Sequence, residues 1–142
     1  MDLQYYPFEK RASYPHMMPL DVPIWERFIA LHPGMFNMVA YDVAVGSGAP
    51  FDTTVVQETG ANVGRLYQRK IDVIGFNDKL VTVIELKPRA STASIGQVKG
   101  YAKLFKRDFE PVLDVIALVV TDTLMPDMEF VAKDEGVLIE IV

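Results

Sequence analysis

The chain has 142 residues, of which half are hydrophobic and 23% are charged, and its formal net charge is -5. This composition predicts one compact domain over residues 1–142 and excludes a disordered chain, which would contain fewer apolar residues. The sequence contains no uncharged apolar run of the ~18 residues that a membrane-spanning helix needs. It also contains no cysteine and begins without a signal-peptide pattern, so we expect a cytoplasmic protein.

The net charge conceals an uneven distribution of charge along the chain. Residues 1–63 carry a net charge of -4, residues 64–107 carry +7 and residues 108–142 carry -8. A basic central block can approach phosphate groups, whereas the acidic total argues against nonspecific coating of nucleic acid. The alternative explanation is an ordinary fluctuation of charge along a sequence.

The N-terminal part of the chain predicts an arm followed by a helix. Residues 1–20 are rich in proline and tyrosine, which prevents a continuous helix and favours an extended arm lying on the domain or on a partner. Asp21 can cap the following helix, with Pro23 in its first turn, and the apolar stripe ends near His32.

The rest of the chain predicts alternating strands and helices. The pattern indicates a strand over residues 35–46, a hairpin over 69–76 and 80–87, a helix capped within 91–94 that runs to about 107, a strand over 112–120, a short helix over 126–133 and a last strand over 137–142. A further extended piece is indicated over 53–56. Without that piece, the order from the first helix onwards is α-β-β-β-α-β-α-β, which predicts an α/β fold in which helices flank a mixed β-sheet.

Three charged residues interrupt the apolar strands of the predicted hairpin. Glu85 and Lys87 are two residues apart and therefore share a face of their strand. A four-residue turn places Asp72 opposite Glu85, whereas a two-residue turn places it opposite Val83, and all three charges share a face in both registers. An exposed cross-strand ion pair is the simpler alternative. The apolar neighbours of these charges argue against a solvated face.

This arrangement suits a hard divalent cation. Asp72, Glu85 and the backbone carbonyl of Leu86 offer the oxygen ligands that Mg²⁺ prefers, and Mn²⁺ is expected to substitute for it. The metal would polarise a phosphoryl oxygen and lower the pKa of a water molecule. Lys87 could orient that water or stabilise charge developing on the phosphate.

These motifs resemble those of the PD-(D/E)XK nuclease superfamily, which has the restriction-endonuclease-like fold. The resemblance lies in Lys70-Ile71-Asp72-Val73, in Ile84-Glu85-Leu86-Lys87, and in a Gln-x-x-x-Tyr motif at Gln97 and Tyr101, as in RecB-like and lambda-exonuclease-like members. The sequence departs from the pattern at Ile71, where the family name expects proline. The resemblance implies that the catalytic residues are Asp72, Glu85, Lys87, Gln97 and Tyr101, and that Glu26 is a further acidic residue near the metal.

Several other residues are candidates with open alternatives. Glu26 can also simply face solvent, and Glu58 is an alternative carboxylate. Candidates for nucleic-acid binding are Arg69, Lys70, Arg89, Lys99 and Lys103. For Lys99 and Lys103, the solvated face of a helix is an equally good explanation.

The sequence therefore predicts a Mg²⁺-dependent nuclease that hydrolyses DNA phosphodiester bonds. Since 142 residues leave little room for a base-reading module, we expect a structure-specific or end-processing activity in repair, recombination or phage DNA processing. The alternative is a catalytically inactive module of the same fold that binds nucleic acid or a protein. A homodimer, or a partner bound through the N-terminal arm, is also compatible with the sequence.

Overall fold

The computed structural model describes residues 3–47 and 68–142. Within these residues the chain forms, in order, α1 (Val22–Leu31), β1 (Met38–Val45), β2 (Arg69–Phe76), β3 (Leu80–Ala90), α2 (Thr92–Phe109), β4 (Asp114–Leu124), α3 (Met128–Asp134) and β5 (Leu138–Ile141). The predicted element order and the α/β class are confirmed. The extended piece predicted over 53–56 lies outside the described residues.

The five strands form one mixed sheet in the order β1-β2-β3-β4-β5. The pairs β1–β2 and β2–β3 are antiparallel, whereas β3–β4 and β4–β5 are parallel and are connected through α2 and α3. Helix α2 contributes to the apolar core on one face of the sheet, and α1 contributes to the core on the other face. None of the helices in the described ranges is long and apolar enough to cross a membrane.

The β2–β3 hairpin has the four-residue turn that was one of the two predicted registers. Phe76 pairs with Val81 across the ladder. The side-chain oxygen of Asn77 accepts hydrogen bonds from the backbone N–H groups of Lys79 and Leu80, at 2.8 and 2.9 Å. Such a local side-chain bond stabilises a turn, and here it sets which residues of the two strands face each other.

Strand β3 continues beyond its predicted end at Lys87. The ladder with β4 passes over Pro88, pairing Lys87 with Thr121 and Arg89 with Thr123. Because proline lacks a backbone N–H, it interrupts a ladder, yet the strand resumes on its far side. Glu85 and Lys87 therefore lie well inside β3, in a part of the strand that pairs with β4.

The N-terminal arm lies on its own domain. Tyr6 and Val39 exchange two backbone hydrogen bonds of 2.8 Å, which cover part of the edge of β1. The ring of Phe8 packs against Trp25 and Phe36, with ring centroids 5.7 and 5.1 Å away. Tyr14 is buried in the same core as α1. The arm thus uses its aromatic side chains to complete the core on this face.

The close contact between Gly75 and Phe36 generates a stability prediction. A methyl group added at Gly75 would lie 2.5 Å from the Phe36 ring, which is buried and packed by Phe8. We expect Gly75→Ala to lower the free energy of unfolding by about 1 to 3 kcal/mol through overpacking, measured by urea denaturation.

Gly96→Ala is the matched control. A methyl group at Gly96, inside α2, meets no heavy atom within 4 Å among the described residues. Alanine favours a helix over glycine, so this variant should be more stable by up to about 1 kcal/mol. Equal stability of Gly75→Ala and the wild type would contradict the packing described here.

Candidate functional site

Asp72 and Leu86 form the framework of the site. The Asp72 carboxylate accepts a hydrogen bond of 2.9 Å from the backbone N–H of Leu86. The backbone pairing between β2 and β3 ends at Val73 and Ile84. Beyond that point the side chain of Asp72, rather than the backbone of β2, accepts the hydrogen bond from β3. Since the N–H and C=O of one strand residue point to the same neighbour, the Leu86 carbonyl also points towards Asp72. The two predicted oxygen donors therefore lie on the same side of β3.

Glu85 is a buried carboxylate with an unpaired oxygen. It is only 4% exposed, and its Oε1 atom lies 3.8 Å from the Lys87 ammonium nitrogen. When Glu85 is ionised, its Oε2 atom has no hydrogen-bond donor beside it, and among the described residues it is the one buried side-chain oxygen or nitrogen in that state. A protonated Glu85 can instead donate a hydrogen bond to the Asp72 carboxylate. An unpaired buried polar atom costs roughly 1 to 3 kcal/mol, so such atoms mark places where an ion or a water is expected. The donor set thus fits a divalent cation.

The two carboxyl groups hold protons more tightly than usual. Burial, reinforced by the neighbouring charge of Asp72, raises the pKa of Glu85 to about 8. Burial also raises the pKa of Asp72 to about 6, although the hydrogen bond from the Leu86 N–H acts in the opposite direction. Two adjacent carboxylates in a desolvated site repel each other, and a proton or a cation between them relieves that repulsion.

Asp21 belongs to the surroundings of this pair rather than to a helix cap. It occupies the N-cap position of α1, but its backbone is helical and its side chain makes no capping hydrogen bond, so the predicted cap is wrong. Its charge raises the pKa values of both Asp72 and Glu85. Burial raises the pKa of Asp21 itself, and Lys87 lowers it. Sequence reasoning missed this residue because only the packing of α1 against the sheet brings it near β3.

Glu26 is hydrogen-bonded to Tyr14 of the N-terminal arm. The hydroxyl of Tyr14 donates a hydrogen bond of 3.0 Å to Glu26 Oε2, so the first-helix acid predicted near the metal is engaged with the arm. Within residues 3–47 and 68–142, no group of three or more His, Cys, Asp or Glu side chains is arranged to hold a metal ion. The role of Glu26 as a metal ligand stays a prediction, and Glu58 lies outside the described residues.

Gln97 and Tyr101 form a pair on one face of α2, as their spacing predicts. The Gln97 side-chain amide donates a hydrogen bond of 2.6 Å to the Tyr101 hydroxyl. Tyr101 is buried in the core between α2 and the sheet, which fixes the position of the pair. Their contribution to catalysis stays a prediction.

The predicted basic residues separate into two surfaces. Arg69 and Lys70 are exposed at the start of β2, close in sequence to Asp72, and Arg89 is exposed near the end of β3. Lys99 instead forms an ion pair with Glu135, and the neighbouring Lys103 also lowers the pKa of that carboxyl.

Helix geometry explains this separation. Each residue advances about 100° around a helix axis, so residues two apart point in nearly opposite directions. Lys99 and Lys103 therefore lie on the flank of α2 opposite Gln97 and Tyr101. They border a groove of about 230 Å³ against β4 and the end of α3. The basic block of the sequence is not one cleft in the folded protein.

Comparison with known proteins identifies a shared fold. No family model and no curated protein matches the chain. The structure is similar to that of a repair endonuclease from Pyrococcus abyssi, with 16% identity, 92% of this chain and 49% of that chain covered, and a TM-score of 0.50. Similar structures also include EndoMS in apo form (22% identity, 49% and 33% covered, TM-score 0.42) and an EndoMS–dsDNA complex (14% identity, 94% and 48% covered, TM-score 0.49).

The chain spans about half the length of the Pyrococcus protein. At this level of identity the likeness shows that the two proteins share a fold, an α/β architecture with a mixed sheet flanked by helices.

The carboxyl pair of Asp72 and Glu85 generates a prediction about stability and pH. Carboxyl groups of an unfolded chain release their protons near pH 4, whereas Asp72 and Glu85 do so at pKa values of about 6 and about 8. Between about pH 4 and pH 8 the folded protein therefore binds more protons than the unfolded chain. In EDTA the free energy of unfolding should then fall as pH rises over this range. Glu85→Gln should weaken this dependence and raise stability near pH 8 by about 1 to 3 kcal/mol.

Magnesium provides the second half of that experiment. Adding Mg²⁺ near pH 8 should stabilise the wild type by mass action and stabilise Glu85→Gln much less. Glu9→Gln, an exposed change on the arm, should behave as the wild type in both conditions. Thermal unfolding that shows Glu85→Gln to be less stable than the wild type in EDTA near pH 8 would contradict this description of the site.

Proposed function

We propose that the protein is a metal-dependent deoxyribonuclease that hydrolyses phosphodiester bonds. The observation that carries the proposal is the unpaired, buried Oε2 atom of Glu85 beside Asp72. A fold shared with a repair endonuclease supports it, as does the resemblance of the motifs to the PD-(D/E)XK superfamily. The raised pKa values of the two carboxyl groups follow from the same burial, and such perturbed pKa values are typical of functional sites.

Three oxygen donors would hold the metal in this proposal. They are the carboxylates of Asp72 and Glu85 and the backbone carbonyl of Leu86, with Mg²⁺ as the expected ion and Mn²⁺ as a substitute. When bound, Mg²⁺ would supply Lewis-acid polarisation of a phosphoryl oxygen and acidify a water. The Leu86 N–H keeps the Asp72 carboxylate in one orientation through its 2.9 Å hydrogen bond.

Lys87 is the lysine that we propose assists catalysis at the site. Its ammonium group lies 3.8 Å from Glu85 Oε1 and its side chain is 40% exposed, so it can reach a phosphate approaching from solvent. In the reaction a water oxygen bonds to phosphorus and gives up a proton to solvent, one P–O ester bond breaks, and the departing oxygen takes up a proton from solvent. Lys87 orients the water and neutralises charge that develops on the phosphate. Gln97 and Tyr101 act as positioning residues.

The substrate is DNA in this proposal, and exposed basic groups at the start of β2 lead it to the site. Arg69 and Lys70 precede Asp72 in the same strand, and their charges attract the phosphate backbone. We propose a structure-specific or end-processing activity in repair, recombination or phage DNA processing, and the fold shared with a repair endonuclease supports it.

Cleavage assays with matched variants test the catalytic assignment. With Mg²⁺, wild-type protein should cut at least one of single-stranded, duplex or branched DNA, and EDTA should abolish cutting. Asp72→Asn, Glu85→Gln and Lys87→Ala should each lower the rate by about a hundredfold or more.

The controls carry the same chemical changes at exposed positions. Asp114→Asn, Glu9→Gln and Lys79→Ala should retain full activity. Site variants that cut as fast as the wild type would show that catalysis occurs elsewhere. Salt-sensitive DNA binding without any metal-dependent cleavage would favour the inactive binding module.

The separation of the two basic surfaces generates a binding prediction. Lys70→Ala should weaken DNA binding and reduce the slope of log K against log salt by about one, because it removes a phosphate contact. Lys99→Ala should change the slope less, because Lys99 is paired with Glu135 on the other flank of α2. Fluorescence anisotropy over a salt series measures both slopes. A larger loss for Lys99→Ala than for Lys70→Ala would reverse the assignment of the DNA-facing surface.

A further inference from the structure

A cleft lies between the N-terminal arm and the end of β1. Its volume is about 420 Å³, and the residues around it include Tyr6, His16, Tyr41, Asp42 and Phe109. A smaller depression beside it contains Asp72 and shares His16 and Asp42 with the larger cleft. The cleft therefore opens beside Asp72 of the candidate site.

Asp42 occupies an unusual position in the sheet. The β1–β2 ladder pairs Tyr41 with Val73 and then Val43 with Ile71, so the regular pairing is interrupted where Asp42 faces Asp72. Asp42 has a φ of 52°, in the left-handed region that residues other than glycine seldom adopt. His16, across the cleft, has a φ of 51°. Strained backbone of this kind persists where the surrounding structure enforces it, often at ligand sites.

The chemistry of the cleft suits a nucleobase better than a phosphate. Phe109 provides aromatic surface of the kind on which unpaired bases stack, whereas the Tyr6 ring is already covered by the Arg11 guanidinium, 4.4 Å from its centroid. The carboxylate of Asp42 repels phosphate but accepts hydrogen bonds from amino groups, such as the N4 amino group of cytosine. When a phosphodiester is held at Asp72 and Glu85, the adjoining nucleoside is covalently placed within reach of this cleft.

We propose that the cleft binds one unpaired base next to the cleaved phosphodiester bond, and that Asp42 makes it prefer cytosine over thymine. This inference rests on the proposed nuclease function. Cytosine presents an amino donor where thymine presents a carbonyl oxygen, and a carboxylate facing that oxygen has no donor to accept from. A base that is paired and stacked in a duplex cannot enter, so the cleft reads only an unpaired nucleotide.

Binding of homopolymers in EDTA tests the proposal without any cleavage. We expect labelled oligo-dC of about 12 nucleotides to bind the wild type about tenfold more tightly than oligo-dT, as one hydrogen bond to a charged group predicts. Both bases are pyrimidines of similar size, so stacking differs little between them. Oligo-dU should bind as weakly as oligo-dT, which excludes an effect of the thymine methyl group.

Asp42→Asn is the decisive variant. Asparagine has the same size, tolerates a left-handed backbone, and can donate to a carbonyl as well as accept, so the ratio of the two affinities should fall to about one. Asp114→Asn removes the same charge at an exposed position and should preserve the tenfold ratio. Equal thermal stability of the two variants shows that the change is local to the cleft.

Trp25 provides a second measurement inside the protein. It is the one tryptophan of the chain, and its indole N–H donates a hydrogen bond of 3.0 Å to the hydroxyl of Tyr41, which borders the cleft. Oligo-dC should change its fluorescence more strongly than oligo-dT at equal concentration.

The outcomes separate this inference from the proposed function. Equal affinity of the wild type for oligo-dC and oligo-dT, or a tenfold ratio that survives Asp42→Asn, overturns the base-reading cleft even if the protein cleaves DNA. A ratio that Asp42→Asn abolishes supports the cleft even if Mg²⁺-dependent cleavage is not found, in which case the proposed catalytic function fails alone.

Discussion

The repulsion between the buried carboxyl group of Glu85 and the half-buried carboxyl group of Asp72 is the constraint on which the site depends. Glu85 is buried within the central strand β3. Asp72 lies on the neighbouring strand β2, and its carboxylate accepts a hydrogen bond from the backbone N–H of Leu86. Removing both groups from water costs folding energy, and no cation within hydrogen-bonding reach of Glu85 Oε2 offsets it among the described residues. A protein retains such an arrangement where a ligand restores the balance, and a divalent cation with oxygen preference is the ligand that this donor set suits.

The rest of the fold holds this pair in a defined place. The Asn77 turn sets the register of the β2–β3 hairpin, and β4 holds β3 from the other side, even across Pro88. The arm and α1 close one face of the sheet through a cluster of aromatic side chains, and this packing brings Asp21 into the field of the pair. Helix α2 closes the opposite face. The candidate site is therefore rigid on its strands and bordered by segments that can contact a substrate.

Local periodicity made much of this predictable from the sequence. The alternation of side chains along a strand places Glu85 and Lys87 together, and helical spacing places Gln97 beside Tyr101. Tertiary packing decided what the sequence left open or missed. The sequence pattern at Asp21 is that of a helix cap, whereas the structure places this residue near the carboxyl pair. Asp42 gives no sequence signal, because its proposed role depends on an interrupted ladder. Lys99 belongs to a basic block of the sequence that helix geometry divides between two surfaces.

The central claim is that Asp72, Glu85 and the Leu86 carbonyl together bind a divalent cation. A crystal of the protein soaked in Mn²⁺ tests it most directly, because the anomalous signal of manganese locates the ion independently of any activity. One strong anomalous peak is expected between Asp72 and Glu85, within coordination distance of both carboxylates and of the Leu86 carbonyl. Manganese bound elsewhere, or no peak between the two carboxylates, would contradict it.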